Sequence, residues 1–512
     1  MAILRYSASA DNTITNAYES NLTTRGTGSN MGRSDILEVF SIYAQASSAS
    51  VELERFLVQF PISSISADRT SGVVPASGSV DYYLKLSNAP HAGKTPSDYQ
   101  LVISAVSQSW QEGIGLDMDN YTDLTYDGIG SNWIQARASA SVSDDGKWTT
   151  EGGDYYTDAS SSFTASFDIG TEDLEVNITP LVEQWMNSAG NVLGSKTNYG
   201  VGIYLNNAYE GSSSSNPTGA TTSYYTKKFF ARHSEFFFKR PYIEARWDST
   251  KRDDRGAFYF SSSLAPASDN LNTIYLYNYI RGRLVNIPNI GTGKIYVQLH
   301  SGSSDNSAPF GSALTLVADG THVLDSSPTF VTGGYVSAGI YSASFALTGN
   351  ASTLTKIFDV WQSGSTQYKT GSIDTNSVNA LGYTTGKRYV LSMPNLQDEY
   401  YKDQTARLRL YVREKNWSPN IYVKATSDIP ALLIPSASYR VARISDGTQV
   451  ISYGSGSLEC TGLSYDISGN YFDLDMSLFE PGYQYSIQYS FKDENTSTYY
   501  EQPYEFKFRV AK

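Results

Sequence analysis

Arg407-Leu408-Arg409-Leu410-Tyr411-Val412 sets an apolar side chain at every second position. A period of two marks a strand with one buried face, because successive side chains leave a pleated backbone on opposite sides. Short apolar or alternating runs of this kind recur along the chain. Examples are Phe56-Leu57-Val58-Gln59-Phe60, Tyr82-Tyr83-Leu84-Lys85-Leu86, Leu101-Val102-Ile103 and Lys294-Ile295-Tyr296-Val297-Gln298-Leu299. Clusters of Gly, Ser, Asn and Asp separate them, the pattern of short strands joined by turns in sandwiches and barrels. Helical periodicity is rare. The best helix spans 178–186, with Thr179 as cap, Pro180 in the first turn and Leu181, Val182 and Trp185 on one face.

Composition points the same way. The 512 residues include 40 Tyr and 41 Gly but 1 Cys and 4 His. Tyr, Phe, Val, Ile and Thr suit half-buried pleated surfaces. Nucleophilic, metal-assisted and general-base chemistry draws instead on His, Cys and clustered carboxylates. His91, His233, His300 and His322 are scattered without metal-ligand spacing. Charged residues make up 17%, below the roughly 25% of an average soluble domain, so polar uncharged groups and Tyr must cover much of the surface. A net charge of −13 argues against nucleic acid as partner, since phosphate binding needs clustered Lys and Arg. Cys460 alone forms no intrachain disulfide framework, which suits a protein made in a reducing cytosol. Met1-Ala2-Ile3-Leu4-Arg5-Tyr6 does not open a signal peptide. No run approaches the roughly 20 apolar residues of a membrane span. The expectation is a prokaryotic or viral product that reaches the outside by lysis or inside a particle.

A chain of this length exceeds one core, and three segments emerge. The first covers 1–247 and ends at the charged stretch Asp248-Ser249-Thr250-Lys251-Arg252-Asp253-Asp254-Arg255. The second covers 248–372 and the third 373–512. Gly371-Ser372-Ile373-Asp374-Thr375-Asn376-Ser377 reads as a linker or loop between them. Ser212-Ser213-Ser214-Ser215-Asn216-Pro217 reads as a surface loop.

The first segment carries, in order, Ala10-Asp11-Asn12-Thr13-Ile14, Ser34-Asp35-Ile36-Leu37-Glu38-Val39 and Arg55-Phe56-Leu57-Val58-Gln59-Phe60. Trp110-Gln111-Glu112-Gly113, Asn132-Trp133 and Trp148-Thr149-Thr150-Glu151-Gly152-Gly153-Asp154-Tyr155 follow. Asn198-Tyr199-Gly200-Val201-Gly202-Ile203, Phe230-Ala231-Arg232-His233-Ser234 and Arg240-Pro241-Tyr242-Ile243 close the series. In this order the pieces resemble the DNRLRE-type β-sandwich domain, a jelly-roll module of surface, spore-coat and phage virion proteins. The whole chain resembles virion structural proteins of tailed bacteriophages. That likeness rests on the stretch from Asp11 through Arg25-Gly26-Thr27-Gly28-Ser29-Asn30-Met31-Gly32. It rests equally on the end, Leu463-Ser464-Tyr465-Asp466 through Glu480-Pro481-Gly482-Tyr483-Gln484-Tyr485 to Phe506-Lys507-Phe508-Arg509-Val510. The middle segment carries no comparable signature.

Pro481-Gly482-Tyr483 sets a turn, and Tyr485, Ile487 and Tyr489 alternate along the strand after it. This resembles the corner of immunoglobulin-like and fibronectin-like sandwiches, where a Tyr hydroxyl ties back to nearby backbone. Tyr504-Glu505-Phe506-Lys507-Phe508-Arg509-Val510 alternates and should complete a sheet. The expected fold is all-β: an N-terminal jelly-roll sandwich followed by two Ig-like or fibronectin-like β-sandwich domains.

The chemical candidates are weak. Asp117, Asp119 and Asp123, with Asp127, place oxygen ligands at alternate positions, the donor set of a Ca²⁺ site. The spacing is not that of an EF-hand, so a solvated loop is the plainer reading and no cofactor is expected. Asp144-Asp145-Gly146 and Asp253-Asp254-Arg255-Gly256 read as turns. Glu151 and Asp154 offer a carboxylate pair for glycoside cleavage, but nothing in the sequence supplies a sugar cleft. Ser109 and Ser234 lack a nucleophile-elbow context. The aromatic runs Tyr224-Tyr225, Phe229-Phe230 and Phe236-Phe237-Phe238 admit a core strand or a docking surface for a neighbouring subunit. Lys227, Lys228, Arg232, Lys239 and Arg240 among them either meet an acidic partner or guard an edge strand.

These readings converge on a non-enzymatic virion protein in the neck or collar, on the head or in a tail fibre. Its expected partners are other virion proteins, in a symmetric homo-oligomer. No nucleic acid or membrane partner is expected. Without heptads or collagen-like repeats, decoration or neck is favoured over a distal fibre. The alternative is a carbohydrate-binding adhesin, whose Tyr- and Trp-lined faces would stack on host glycan rings. A glycan-degrading enzyme with accessory β domains stands behind both.

Overall fold

Alternation in the sequence becomes strand throughout the computed structural model, which describes residues 2–90, 96–116, 130–137, 146–187, 192–347, 354–376, 387–415, 432–454, 459–493 and 496–512. The protein is all-β apart from two short α-helices and a few single turns of 3₁₀ helix among the described residues. Two compact units divide it, Ala2–Trp247 and Asp248–Lys512.

The first unit is a sandwich of antiparallel sheets. The small sheet orders strands Ile3–Ser7, Tyr242–Arg246, Asp81–Leu86 and Leu174–Asn177, so the first and last strands of the unit pair side by side. The large sheet orders Tyr224–Phe230, Ile36–Tyr43, Val51–Gln59, Val201–Leu205, Tyr99–Ala105 and Ser162–Phe167, with Ala10–Thr15 also paired to Val51–Gln59. Between the sheets lie Phe56, Val58, Leu84, Leu101, Ile203 and Ile243, all fully buried. On the outer face of the small sheet the polar residues pair across strands. Arg5 holds Glu244 (2.6 Å), Arg246 holds Glu244 and Glu175 (2.7 Å each), and Lys85 closes on Glu175 (2.8 Å). Such cross-strand ladders stabilise a sheet face and leave its charges satisfied.

Helix α1 (Ile62–Thr70) and helix α2 (Thr179–Met186) pack on each other at one end of this sandwich. Leu181, Val182 and Trp185 of α2 are buried, as their spacing predicts. The cap differs. Ile178 occupies the N-cap, and the Thr179 hydroxyl accepts from the Tyr82 amide instead, tying the helix to the small sheet (2.8 Å). Arg69 of α1 chelates Glu183 of α2 (2.7 and 2.6 Å), a pair that joins the two helices.

Among the described residues the second unit holds three sheets and one short ribbon. In the first sheet, strands run in the order Phe258–Tyr259, Thr366–Asn376, Lys356–Ser363, Ile295–Gly302, Val331–Ser337, Ile340–Phe345 and Asn272–Tyr277. The sheet curls until its ends meet. Asn272 at one end accepts from the Tyr259 amide and donates to the Tyr259 carbonyl at the other (3.0 and 2.9 Å), and Phe258 packs on Phe345. A single core with Trp361, Leu299 and Ile373 fills the interior. The stretch read as a linker at Gly371 is part of strand Thr366–Asn376, paired along its length with Lys356–Ser363. The segment boundary at 372 thus falls inside a central hairpin.

The remaining sheets face each other. One orders Tyr389–Ser392, Thr405–Glu414, Gly469–Asp475 and Ser464–Asp466. The other orders Glu399–Tyr401, Phe506–Ala511, Gln484–Asp493, Ala437–Arg443 and Gln449–Ile451. Leu408, Leu410 and Val412 are buried between them, as their alternation predicts. Phe472 stacks on Tyr439 at 4.1 Å, and Tyr489 donates to the Met393 sulfur. The Tyr485 hydroxyl donates to the Glu480 carbonyl (2.7 Å), the tie-back expected of the Pro481 corner. Phe506–Ala511 completes the sheet between an antiparallel and a parallel neighbour.

The charged stretch after Trp247 is also built in. Lys251 donates its amide to the Ser464 hydroxyl, Tyr465 donates its amide to the Lys251 carbonyl, and the Tyr465 hydroxyl donates to Asp254 (2.7 Å). Arg255 pairs bidentately with the fully buried Asp359, which also accepts from the Trp361 indole (2.6 Å). Asp253-Asp254-Arg255-Gly256 does form a turn, a 3₁₀ turn capped by the Asp253 carboxylate.

Candidate docking surface

Strand Ala10–Thr15 buries Asp11, Asn12, Thr13 and Thr15 along with Ile14, an unusual load of polar groups for a strand. The cause lies in what covers it. Ile14 and Leu57 on the sheet meet Trp133, Trp148, Val106 and Ala136 in a second core, on the opposite face from the main one. Polar groups buried in this way need partners, and Asn12 and Thr15 have them, whereas the Thr13 hydroxyl does not. Asn12 donates to the carbonyl and hydroxyl of Ser131 (2.8 Å each) and accepts from the Met31 amide. Gly113 lies so close to Asn30 that a Cβ there would fall on the Asn30 amide oxygen. Arg55 reaches Glu210 (2.9 Å) between the faces of Trp133 and Tyr204, a cation between two rings.

Asp11, Glu112 and Arg232 come from three separated motifs and meet in one clasp. The Arg232 guanidinium is bidentate on Glu112 (2.7 Å twice), its amide donates to Asp11 Oδ2 (2.7 Å), and the Asp11 amide donates to Glu112 Oε1 (3.0 Å). Asp11 Oδ1 has no hydrogen-bond partner. Burial, aided by the Glu112 charge, pushes the Asp11 carboxyl up to about 7 against the pull of Arg232.

Beyond the clasp the chain turns a corner. On strand Tyr224–Phe230, Lys227 and Phe229 are buried while Lys228 and Phe230 are half-exposed. The Lys227 ammonium lies over the rings of Phe167 and Phe229 and donates to Asn88 Oδ1 and to the carbonyls of Gly170 and Glu172. Burial pushes it down to about 8. Lys228 pairs with Glu38 (3.4 Å), and Arg240 donates to the Ser234 carbonyl (2.8 Å), closing the turn. Neither Lys227 nor Arg232 is left for a partner, contrary to one of the two expectations for the basic residues here. Residues 87–89 bond to the outer edge of this strand.

What remains outside is aromatic. Phe236 is 52% exposed with Phe230 edge-on to it at 5.4 Å, and half-buried Phe237 and Phe238 follow in a 3₁₀ turn. The two readings of the Phe run therefore divide by residue: Phe229 fills the core, and Phe236 stands on the surface. His233 beside it is exposed. Partial burial lowers its pKa, with Arg232, Arg33 and Arg240 pushing the same way and Glu112 opposing.

The other sequence candidates disperse. Asp117, Asp119, Asp123 and Asp127 lie outside the described residues, as do His91, Asp144 and Asp145. Among the described residues no group of three His, Cys, Asp or Glu could hold a metal ion. Asp154 accepts from the amides of Thr149 and Thr150, a turn bond, and Glu151 is exposed on that turn. Ser234 is buried and accepts from the Phe236 amide. His300 bonds to the Gly311 carbonyl and His322 to Asp319. Cys460 is buried. Trp133, Trp148, Trp185, Trp247 and Trp361 are buried, and the half-buried Trp110 donates its indole N–H to the Tyr199 carbonyl. Sequence reasoning missed the Arg55–Glu210, Arg69–Glu183 and Arg255–Asp359 pairs, whose partners lie 155, 114 and 104 residues apart. No protein-family model matches the chain, and none of the curated proteins matches it.

Proposed function

We propose that the chain is a non-enzymatic structural component of a tailed-phage virion, placed in the neck or collar, on the head or in a fibre, and acting through protein–protein assembly. The observation that carries this reading is the fate of the motif residues. Asp11, Glu112 and Arg232 are spent on one another, holding a cover onto the sheet, while the same corner turns Phe236 to solvent. Exposed aromatic side chains beside cationic ones suit a protein interface. The DNRLRE-type likeness of the first segment and the phage-like pattern of both ends supply the setting.

Quantitative mass spectrometry of purified particles tests it. The expected result is this chain at a fixed ratio to the portal and major capsid proteins. A small multiple of the portal ring would put it at the neck, a vertex or the fibres, and a ratio near that of the capsid protein would make it a head decoration. Its absence from particles would overturn the reading. A glycan-binding adhesin is the second reading. Tyr499 and Tyr500, each 52% exposed on strand Thr498–Glu501, are now its best stacking groups, because the described tryptophans are buried or half-buried. Glycan-array binding lost on Tyr499→Ala would favour it.

A further inference from the structure

The second unit carries a feature that the sequence did not flag. Strands Tyr279–Ile280 and Arg283–Leu284 form a ribbon of their own, turned by Arg281 and Gly282. Both turn residues have positive φ, 52° and 78°, the signature of a two-residue primed hairpin turn. Such turns favour Asn, Asp or Gly at the first position, because a longer side chain brings its Cβ against the backbone. Arg281 breaks that local rule. An outlier of this kind points towards use.

The ribbon is held firmly. Asn278 donates its amide to the Gly339 carbonyl (2.8 Å) and its side chain to the Val285 carbonyl (2.7 Å), and the Gly339 amide donates to Asn286 (2.7 Å). Gly339 sits at φ 70°, where a Cβ would meet the Val285 nitrogen, so only glycine lets the ribbon seat here. From this base Tyr279, Ile280 and Val285 are exposed, and Tyr335 and Val336, a few residues before Gly339, are exposed as well. Arg281 and Arg283 point out among them, and neither makes an ion pair or a side-chain hydrogen bond. Elsewhere, Arg5, Arg55, Arg69, Arg232, Arg246 and Arg255 are all paired to carboxylates.

We infer that this ribbon is a self-association surface that seats on an acidic surface of a second copy of the chain. Tyr and Arg are the residues over-represented at interface hot spots, and a ribbon already rigid loses little freedom when it is covered. The partner must bring carboxylates to two unpaired guanidinium groups. The chain has them in excess, 51 acidic against 38 basic residues, which gives its net charge of −13. Two arginines on so acidic a chain do not make a phosphate track. A contact between unlike patches is heterologous and builds rings or filaments. The inference deepens the assembly reading and takes its biological setting from it.

Sedimentation velocity of the full chain tests it, at roughly 1 to 100 μM in about 50 mM and then about 500 mM salt. The wild type should gain mass with concentration, and the higher salt should weaken association at least about tenfold. Arg281→Asn, which suits the turn, should leave the melting temperature unlowered and still weaken association about tenfold. Arg281→Glu with Arg283→Glu should abolish it. A chain that stays monomeric throughout, or associates equally in all three forms, overturns the inference. A chain found in particles but monomeric in solution overturns this inference alone. One that self-associates through the ribbon yet is missing from particles overturns only the virion reading.

Discussion

The clasp at Asp11, Glu112 and Arg232 and the ribbon at 279–284 use the same residue types to opposite ends. In the clasp the Arg232 guanidinium is held by Glu112 and the Arg232 amide by the buried Asp11 carboxylate. In the ribbon two arginines without an ion pair stand beside Tyr279, Ile280 and Val285, each about half exposed. Paired charge under a cover fixes a fold, since breaking the pair leaves a desolvated ion behind. Unpaired charge on a rigid tip does nothing for the fold and is available to a partner. A charged residue in this chain must therefore be read by its partner.

The sharpest way to break this comparison is Arg232→Ala. It leaves Glu112 beside Asp11 with no cation, and the expected loss is about 2 kcal/mol in denaturant unfolding of the first unit. No loss would mean that the clasp is ornamental. Asp11→Asn probes the same site more gently. Folding raises the Asp11 carboxyl to about 7, so the folded form binds its proton more tightly than the unfolded form. Its contribution is full below about pH 4 and is lost as pH rises through 7. Asn keeps an acceptor for the Arg232 amide and removes the titration. Unfolding measured from pH 4 to 8 should show a flatter decline for the variant, which should be more stable at pH 8 by on the order of 1 kcal/mol.

Lys227 gives the opposite slope. Burial lowers it to about 8, so its protonated form is disfavoured by folding, and stability should rise between pH 8 and about 10 before other groups titrate. Replacing Lys227 with Met should remove that rise. Smallest is Arg281→Asn, expected to leave stability unchanged or raise it by up to about 1 kcal/mol, because Asn tolerates the left-handed turn position. A clear loss would mean that Arg281 supports the fold after all.

Much of the fold was legible because strand periodicity is local. Leu408, Leu410 and Val412 fall inward as their spacing requires, α2 sits one residue from its expected start, and Tyr485 makes the corner tie. Helix α1 escaped notice since Ile62 and Ile65 are its only buried side chains in a Ser-rich run. The stretch at Gly371 looked like a linker because small polar residues are also tolerated in a strand whose neighbours supply the packing. The clasp was half legible. Its three motifs could be quoted, but their meeting depends on contacts 101 to 221 residues apart. The ribbon was illegible because Arg-Gly is not among the dipeptides that announce a tight hairpin.

The central claim is that paired charge builds this protein and unpaired charge joins it to its neighbours. Melting temperature and sedimentation mass, measured together on Arg232→Ala and Arg281→Asn at a temperature where both are folded, test it most directly. Arg232→Ala should melt earlier yet associate like the wild type, and Arg281→Asn should melt no earlier yet associate about tenfold more weakly. The reverse pattern, or a single variant that loses both properties, would contradict it.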